Sequence, residues 1–123
     1  MDKAISPIQA AQSLTEFWSP RVIGELDDSY VKVARLHGQF TWHSHEHEDE
    51  LFYVLAGVLQ IEMEDKIVRV SPGEFFIVPK GVRHNPIADE ECFVMLLERK
   101  TTLHTGGTVI DKTRSIHDQL RPL

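Results

Sequence analysis

Short apolar segments separated by glycine, proline and acidic turns fill most of this 123-residue chain. Their residues alternate, or run continuously apolar, over the lengths typical of β-strands. The predicted strands are Arg21 to Leu26, Tyr30 to His37, Gln39 to His45, Leu51 to Leu55, Val58 to Glu64, Ile67 to Val70, Phe75 to Val78, Glu91 to Arg99 and a short edge strand at Val109 to Ile110. So many short strands favour an antiparallel sandwich or barrel.

The connections between these segments refine the prediction. Ala56-Gly57 is typical of a tight turn and predicts a hairpin between the strands on either side of it. A helix is expected over about residues 6–17, because Ser6-Pro7 is a typical helix start and apolar residues follow at steps of three. We therefore expect one domain over residues 1–123, with the barrel at about 21–110 and a C-terminal tail at 111–123.

Composition excludes several classes of protein. The formal net charge is −6 and no run of Lys and Arg occurs, which argues against binding to nucleic acid. No apolar run approaches the ~20 residues that cross a bilayer, and the N-terminus has no signal-peptide pattern, so we expect a cytoplasmic protein. The single cysteine, Cys92, cannot form an internal disulfide and is expected to be a buried thiol.

Two predicted strands are apolar on both faces. In Leu51 to Leu55 and in Cys92 to Leu97, nearly every residue is apolar, whichever way it points. One face can fill the barrel, but the other must be covered by the short helix or by a second subunit. Because one short helix covers only part of such a face, the sequence predicts a homodimer.

Histidines alternate in the segment from Trp42 to Glu50, at His43, His45 and His47. In an extended strand, residues i and i+2 point to the same face, so two imidazoles at that spacing can converge on one metal ion. Glu50 opens the next apolar run and would bring a carboxylate from a neighbouring strand. The segment therefore predicts a metal site, with His43/His45 and His45/His47 as rival pairs.

The surrounding residues extend this pattern into two motifs. The first is His43-x-His45, four residues, Glu50, six residues and a glycine; the second is Gly73, five residues, Pro-x-Gly, two residues and His84. Together they resemble the two signature motifs of the cupin superfamily. The leading helix and the Trp-His-x-His run resemble small single-domain cupins of the mannose-6-phosphate isomerase-like type. Gly38 stands one residue too close to the first motif, and Ala88 replaces the Asn that usually ends the second.

The resemblance implies an all-β fold, the double-stranded β-helix or jelly-roll barrel, and one divalent transition metal. Carried over residue by residue, the metal ligands are His43, His45, Glu50 and His84. Three imidazoles and a carboxylate suit Fe, Mn, Ni, Cu or Zn and leave coordination positions open for a small molecule. A metal-free barrel in which these histidines are ordinary polar residues is the alternative.

Two classes of function remain open from the sequence. The first is a metal-dependent enzyme acting on a small oxygen-bearing substrate, of the dioxygenase type or the sugar isomerase and epimerase type. The second is a non-catalytic module that binds or senses a small ligand, and a third possibility is a structural role for the metal. No residue stands out as the acid or base of such a reaction. Glu62, Tyr53 and Arg35 are candidates only from the alternation of side chains along the predicted strands.

The alternation of side chains along the predicted strands also suggests which other residues line a pocket. Phe52 and Val54 share the face of Glu50, and Thr41 shares that of His43, so these three are candidates for the pocket wall. The remaining histidines have no partner at a ligand spacing and are expected on the surface or on strand faces. They are His37, His104 and His117.

Overall fold

The computed structural model of the protein describes residues 3–123. Within these residues, seven strands and two short helices follow one another. They are α1 (Pro7–Gln12), β1 (Arg21–Leu26), β2 (Ser29–Gln39), β3 (Glu50–Ala56), β4 (Leu59–Glu62), β5 (Ile67–Val70), β6 (Phe75–Val78), β7 (Asn85–Arg99) and α2 (Ile116–Gln119). Neither helix of the described part is long and apolar enough to cross a membrane.

The 15-residue strand β7 organises the sheet. It pairs antiparallel with β2, with β3 and, through its first residues, with β4. The strand order is β1-β2-β7-β3-β6, and β4 also pairs with β5. All pairings between the named strands of residues 3–123 are antiparallel, and the fold is the all-β jelly roll predicted from the sequence.

The barrel interior is filled by the inward-facing side chains of these strands. Fully buried members include Val54, Leu59, Ile61 and Val94, and Cys92 lies among them. Burial raises the pKa of the Cys92 thiol to about 12, so this residue is an inert core side chain, as predicted. A second, smaller apolar cluster forms where α1 packs on the outside of the sheet, with Ala11 and Leu14 against Val33.

The predicted helix is shorter in the structure. It begins after Ser6, whose side chain accepts a hydrogen bond from the Gln9 N–H, and it ends at Gln12 rather than near residue 17. Leu14 still packs on the sheet, so the apolar spacing reflected burial rather than helix length. Trp18 then takes a positive φ of 57°, and its backbone N–H donates to the carbonyl of Arg35.

The predicted break at Gly38 and the strand after it are wrong. β2 continues through Gly38 to Gln39, and a register shift between Leu36 and Gly38 accommodates the glycine as a bulge. Residues 40–49 form no strand; His43 makes only an isolated bridge with His84. A glycine at a φ of +82° therefore bends the chain without ending its pairing.

The predicted hairpin at Ala56-Gly57 is also wrong. β3 and β4 do not pair with each other, because each pairs with β7 instead. Gly57 has a φ of +79°, and a Cβ there would lie 2.5 Å from the carbonyl oxygen of Glu91 on β7. The glycine thus lets the chain cross closely over β7, whereas a two-residue hairpin would have reversed it.

Other element boundaries also differ from the predictions. β4 covers Leu59–Glu62 rather than residues 58–64, and β7 begins at Asn85, six residues before the predicted start. The start of β7 was hidden because its residues Asp89, Glu90 and Glu91 are exposed where the strand changes partner from β4 to β3. Val109–Ile110 forms no strand, and the predicted tail contains α2.

Candidate metal centre

The structure brings His43, His45, Glu50 and His84 together at one end of the barrel. Glu50 is the first residue of β3, and His84 immediately precedes β7. The backbones of His43 and His84 exchange two hydrogen bonds of 3.0 and 2.9 Å, and the Gly81 N–H donates to the His45 carbonyl at 2.8 Å. One ligand atom from each of the four residues lies within 4.8 Å of the other three, and all four residues are buried.

Backbone carbonyls orient two of the imidazoles. The His43 Nδ1 lies 2.9 Å from the Thr41 carbonyl oxygen, and the His84 Nδ1 lies 3.0 Å from that of Val82. A carbonyl oxygen can only accept, so each Nδ1 carries a proton, and in the neutral ring Nε2 has a lone pair that can bind a metal. Metal-bound histidines are commonly oriented by a hydrogen bond of this kind.

Three buried polar atoms of the cluster have no hydrogen-bond partner within residues 3–123. They are His45 Nε2, His84 Nε2 and Glu50 Oε1. Each of the two nitrogens lies 3.4 Å from Glu50 Oε1. Three unpaired buried atoms facing one another are costly unless something lies between them. A divalent transition ion would satisfy all three, so the donor set fits a Zn, Fe, Mn or Ni ion.

The electrostatics of the cluster match the protonation states that a metal requires. Burial and the neighbouring His84 lower the pKa of His43 to about 4. Burial raises the pKa of Glu50, but the adjacent imidazoles of His45 and His84 outweigh it and hold that pKa well below its usual range. A neutral imidazole and an ionised carboxylate are the forms that bind metal.

The lowered pKa of His43 predicts how the metal-free protein responds to acid. An unfolded histidine takes up a proton near pH 6.5, whereas folded His43 does so only near pH 4. The unfolded state therefore binds more protons between these values, and the free energy of unfolding should fall as the pH is lowered from 6.5 to 4. A pKa difference of one corresponds to about 1.4 kcal/mol, so the loss from this residue should reach roughly 3 kcal/mol.

Urea unfolding of chelator-treated protein at pH 7 and pH 5 captures roughly 2 kcal/mol of this loss, and the His43→Gln control should lose that much less. His104, whose pKa is also lowered to about 4, contributes equally in both proteins. Metal-loaded protein should lose stability more steeply still, because the ion stabilises only the folded, deprotonated site. Identical pH dependence in the wild type and the His43→Gln variant would contradict the prediction for the metal-free protein. Parallel curves with and without metal would contradict the prediction for the loaded protein.

The rival His45/His47 pair is not formed. The side chain of His47 is 85% exposed and lies 3.8 Å from the carboxylate of Glu46 on the same loop. His45 is buried and points into the cluster, 3.4 Å from Glu50. In the structure, His43 rather than His47 lies beside His45 in the cluster.

A cavity of about 40 Å³ adjoins the cluster, with room for roughly three water molecules. Its wall is mostly apolar and includes Trp18 stacked on Phe40, with ring centroids 4.8 Å apart. Of the three predicted wall residues Phe52 contributes, whereas Val54 and Thr41 do not. The polar lining residues are His43, Glu50, Glu98 and His104.

Sequence reasoning missed a buried ion pair beside this cavity. The Lys32 Nζ lies 2.8 Å from Glu98 Oε1 and donates to Gln119 Oε1 at 2.6 Å, and both charged side chains are 1% exposed. Glu98 stands opposite Glu50 in the β3–β7 register. Burial and the Glu50 carboxylate raise the pKa of Glu98 well above its usual range. The alternation of side chains along β7 could have identified Glu98, because Glu98 continues the buried series Cys92, Val94, Leu96.

The structure does not bring the acid/base candidates Glu62, Tyr53 and Arg35 to the cavity. Arg35 pairs with Glu91 at 2.6 Å on the surface, and Glu62 accepts a 3.4 Å hydrogen bond from Asn85. His37 and His117 are exposed, as expected. His104 was also expected outside the site, but it is buried and lines the cavity.

Comparisons with known proteins agree with this fold and site. The family model of the cupin domain matches residues 30–98, more than half of the chain. The chain is 34% identical over 85 residues to the protein YdbB of Bacillus subtilis, covering 68% of this chain and 75% of the relative. This chain therefore belongs to the cupin family.

Solved structures show the same relationship. A cupin-2 domain containing protein from Shewanella frigidimarina is 40% identical, with a TM-score of 0.76 over 78% of this chain and 94% of that one. KdgF from Halomonas sp. is 27% identical, with a TM-score of 0.61 over 68% of this chain and 80% of that one. The resemblance to cupins read from the two motifs is thus confirmed.

Proposed function

We propose that this cupin holds one divalent transition metal on His43, His45, Glu50 and His84 and uses it to act on a small oxygen-bearing molecule. The observation that carries the proposal is the convergence of three buried, unpartnered ligand atoms beside a cavity. A bound ion would act there as a Lewis acid that polarises an oxygen of the substrate. The reaction would be of the dioxygenase type or of the sugar isomerase and epimerase type.

The chain's own residues supply binding and orientation around such an ion. His43 belongs to both the cluster and the cavity wall, so a molecule in the cavity lies next to the metal position. Glu98 also lines the cavity; Lys32 holds its Oε1, while its Oε2 has no partner within residues 3–123. That oxygen is placed to accept a hydrogen bond, or a proton, from a bound molecule.

Turnover by metal-loaded protein separates the two reaction types from each other. Oxygen uptake by the Fe(II)-loaded protein with a panel of small hydroxy and keto compounds would indicate an oxygenase. Deuterium incorporation from D₂O by the Mn- or Zn-loaded protein would indicate an isomerase or epimerase. Glu98→Gln should lower either activity without changing the metal content. Binding of these compounds without turnover would instead favour the non-catalytic ligand-binding alternative.

We also propose that two copies of the chain pair through the outer face of the sheet. Apolar residues line up across four strands by register, with Val31 opposite Leu97, Leu97 opposite Leu51 and Leu51 opposite Ile77. The next row places Tyr53 opposite Phe75, which is 60% exposed. A second copy offers the same uncharged surface, and apolar patches of this kind usually mark interfaces.

The dimer proposal predicts a mass of about twice 14.1 kDa in light scattering at micromolar concentration. Phe75→Lys should give a monomer, because a charge would be buried in the contact. Ile67→Lys, a matched change at an exposed residue of β5 outside the two rows, should leave the dimer intact. A monomeric wild type would contradict the proposal. The cytoplasmic location predicted from the sequence likewise remains to be tested.

A further inference from the structure

The C-terminal segment, residues 100–123, closes the barrel end beside the cavity. Lys112 Nζ donates to the backbone carbonyls of Gln39 and Phe40 at 2.8 and 3.3 Å. Gly106 lies so close to the segment that carries His43 and His45 that a Cβ there would be 2.5 Å from the Ser44 carbonyl oxygen. The match to the family model of the cupin domain ends at residue 98, so this segment lies outside the matched residues.

This segment supplies the cavity with one polar side chain, His104. The residue is 8% exposed, lines the cavity and packs against Phe40 with ring centroids 5.6 Å apart. Its Nε2 accepts a 2.6 Å hydrogen bond from the Arg114 backbone N–H. The neighbouring turn is fixed by Thr105, whose hydroxyl contacts the Thr108 carbonyl at 2.7 Å and the Thr113 hydroxyl at 2.9 Å.

The contact with Arg114 determines the tautomer of His104. A nitrogen that accepts from a backbone N–H has no proton of its own, so the proton of the neutral ring lies on Nδ1. Burial and the nearby Lys32 lower the pKa of His104 to about 4, which keeps the ring neutral near pH 7. Within residues 3–123, Nδ1 makes no hydrogen bond, which leaves a donor on a ring that lines the cavity.

We infer that His104 recognises the ligand of this cavity, a small carboxylate, by donating a hydrogen bond from Nδ1 to one of its oxygens. The inference rests on the proposed metal site. With a divalent ion on the cluster, the carboxylates of Glu50 and Glu98 and the ammonium of Lys32 leave a net positive charge, which favours an anion. The cavity, with room for roughly three water molecules, limits the ligand to about four to six non-hydrogen atoms.

Two substitutions separate the donor from the structural contact. Gln can place an amide oxygen where Nε2 accepts from Arg114, but it has no group at the position of Nδ1. Asn can place an amide nitrogen at the position of Nδ1, but it does not reach Arg114. The comparison therefore uses His104→Gln and His104→Asn in zinc-loaded full-length protein, titrated calorimetrically with acetate and pyruvate and with propan-2-ol as the neutral probe.

His104→Gln should keep the wild-type zinc content and melting temperature but bind the carboxylates about tenfold more weakly, the effect of one lost hydrogen bond. His104→Asn should melt lower yet bind them within about threefold of the wild type, and propan-2-ol should bind the wild type far more weakly than acetate. Wild-type affinity in the Gln variant, equal losses in both variants, or no carboxylate binding by zinc-loaded wild type would overturn the inference. A wild type that holds no zinc would overturn the proposed function as well.

Discussion

Replacing His84 with alanine should remove most of the metal from this cupin. His84 is fully buried, and its Nε2 has no partner within residues 3–123 other than the proposed ion. Loss of a residue that merely orients a ligand typically costs 10- to 100-fold in metal affinity, so loss of a ligand should cost more than about 100-fold. Metal content after gel filtration in the presence of a weak chelator measures the effect.

His47→Ala provides the matched control for that change. His47 belongs to the same histidine-rich segment, but its side chain is 85% exposed and points away from the cluster. The control variant should retain the full wild-type metal content, while His45→Ala should behave like His84→Ala. Equal occupancy in all three variants would mean that other groups hold the metal.

Replacing Lys32 with methionine should destabilise the protein more than any change at a surface charge. The substitution removes the partner of Glu98 and leaves a carboxyl group in a site where it is 1% exposed. Breaking a buried ion pair by removing one partner typically costs about 3–5 kcal/mol. It also removes the donor to Gln119, which connects α2 to the barrel. Urea unfolding of the chelator-treated variant measures the loss.

Two comparisons show whether this loss comes from the buried pair. Lys100→Met removes the partner of Glu25 on the surface and should cost less than about 1 kcal/mol. The double variant Lys32→Met/Glu98→Met should recover much of the stability, because no buried charge remains unpaired. A Lys32→Met variant as stable as Lys100→Met would show that the buried pair contributes little.

Two of the four proposed metal ligands were accessible to sequence reasoning because they are close together in the chain. His43 and His45 are two residues apart in an extended segment, so their common face follows from backbone geometry alone. Glu50 and His84 were placed by the spacing of the two motifs rather than by any property of the residues. The structure brings the four together, with a backbone bridge between His43 and His84 that no local pattern indicates.

The topology was less accessible because it depends on long-range pairing. The predicted hairpin at Ala56-Gly57 followed from turn chemistry, yet both flanking strands pair with β7. These pairings join distant parts of the chain; Glu50, for example, lies opposite Glu98, which is 48 residues further on. The first half of β7 was missed because a strand that changes partners exposes its charged residues at the bend. Local propensity does not report which of two available partners a strand takes.

The cavity-lining polar residues were missed for two different reasons. Glu98 continues a buried alternating series, but a carboxylate in such a series is normally taken to be at the surface, and its burial depends on Lys32 from β2. His104 lies in a stretch without helix or strand, so no periodicity places it. Its burial follows from the closure of the C-terminal segment over the barrel, where Lys112 and Gly106 contact residues far away in sequence.

X-ray absorption at the zinc edge of zinc-loaded, desalted protein tests the central claim most directly. The account predicts about one ion per chain, with multiple-scattering features of three imidazoles and one carboxylate oxygen at roughly 2.0–2.2 Å. The signature of one imidazole should disappear in the His84→Ala variant if any zinc remains bound. A spectrum of oxygen ligands alone, or a wild-type protein that retains no zinc after desalting, would contradict the account.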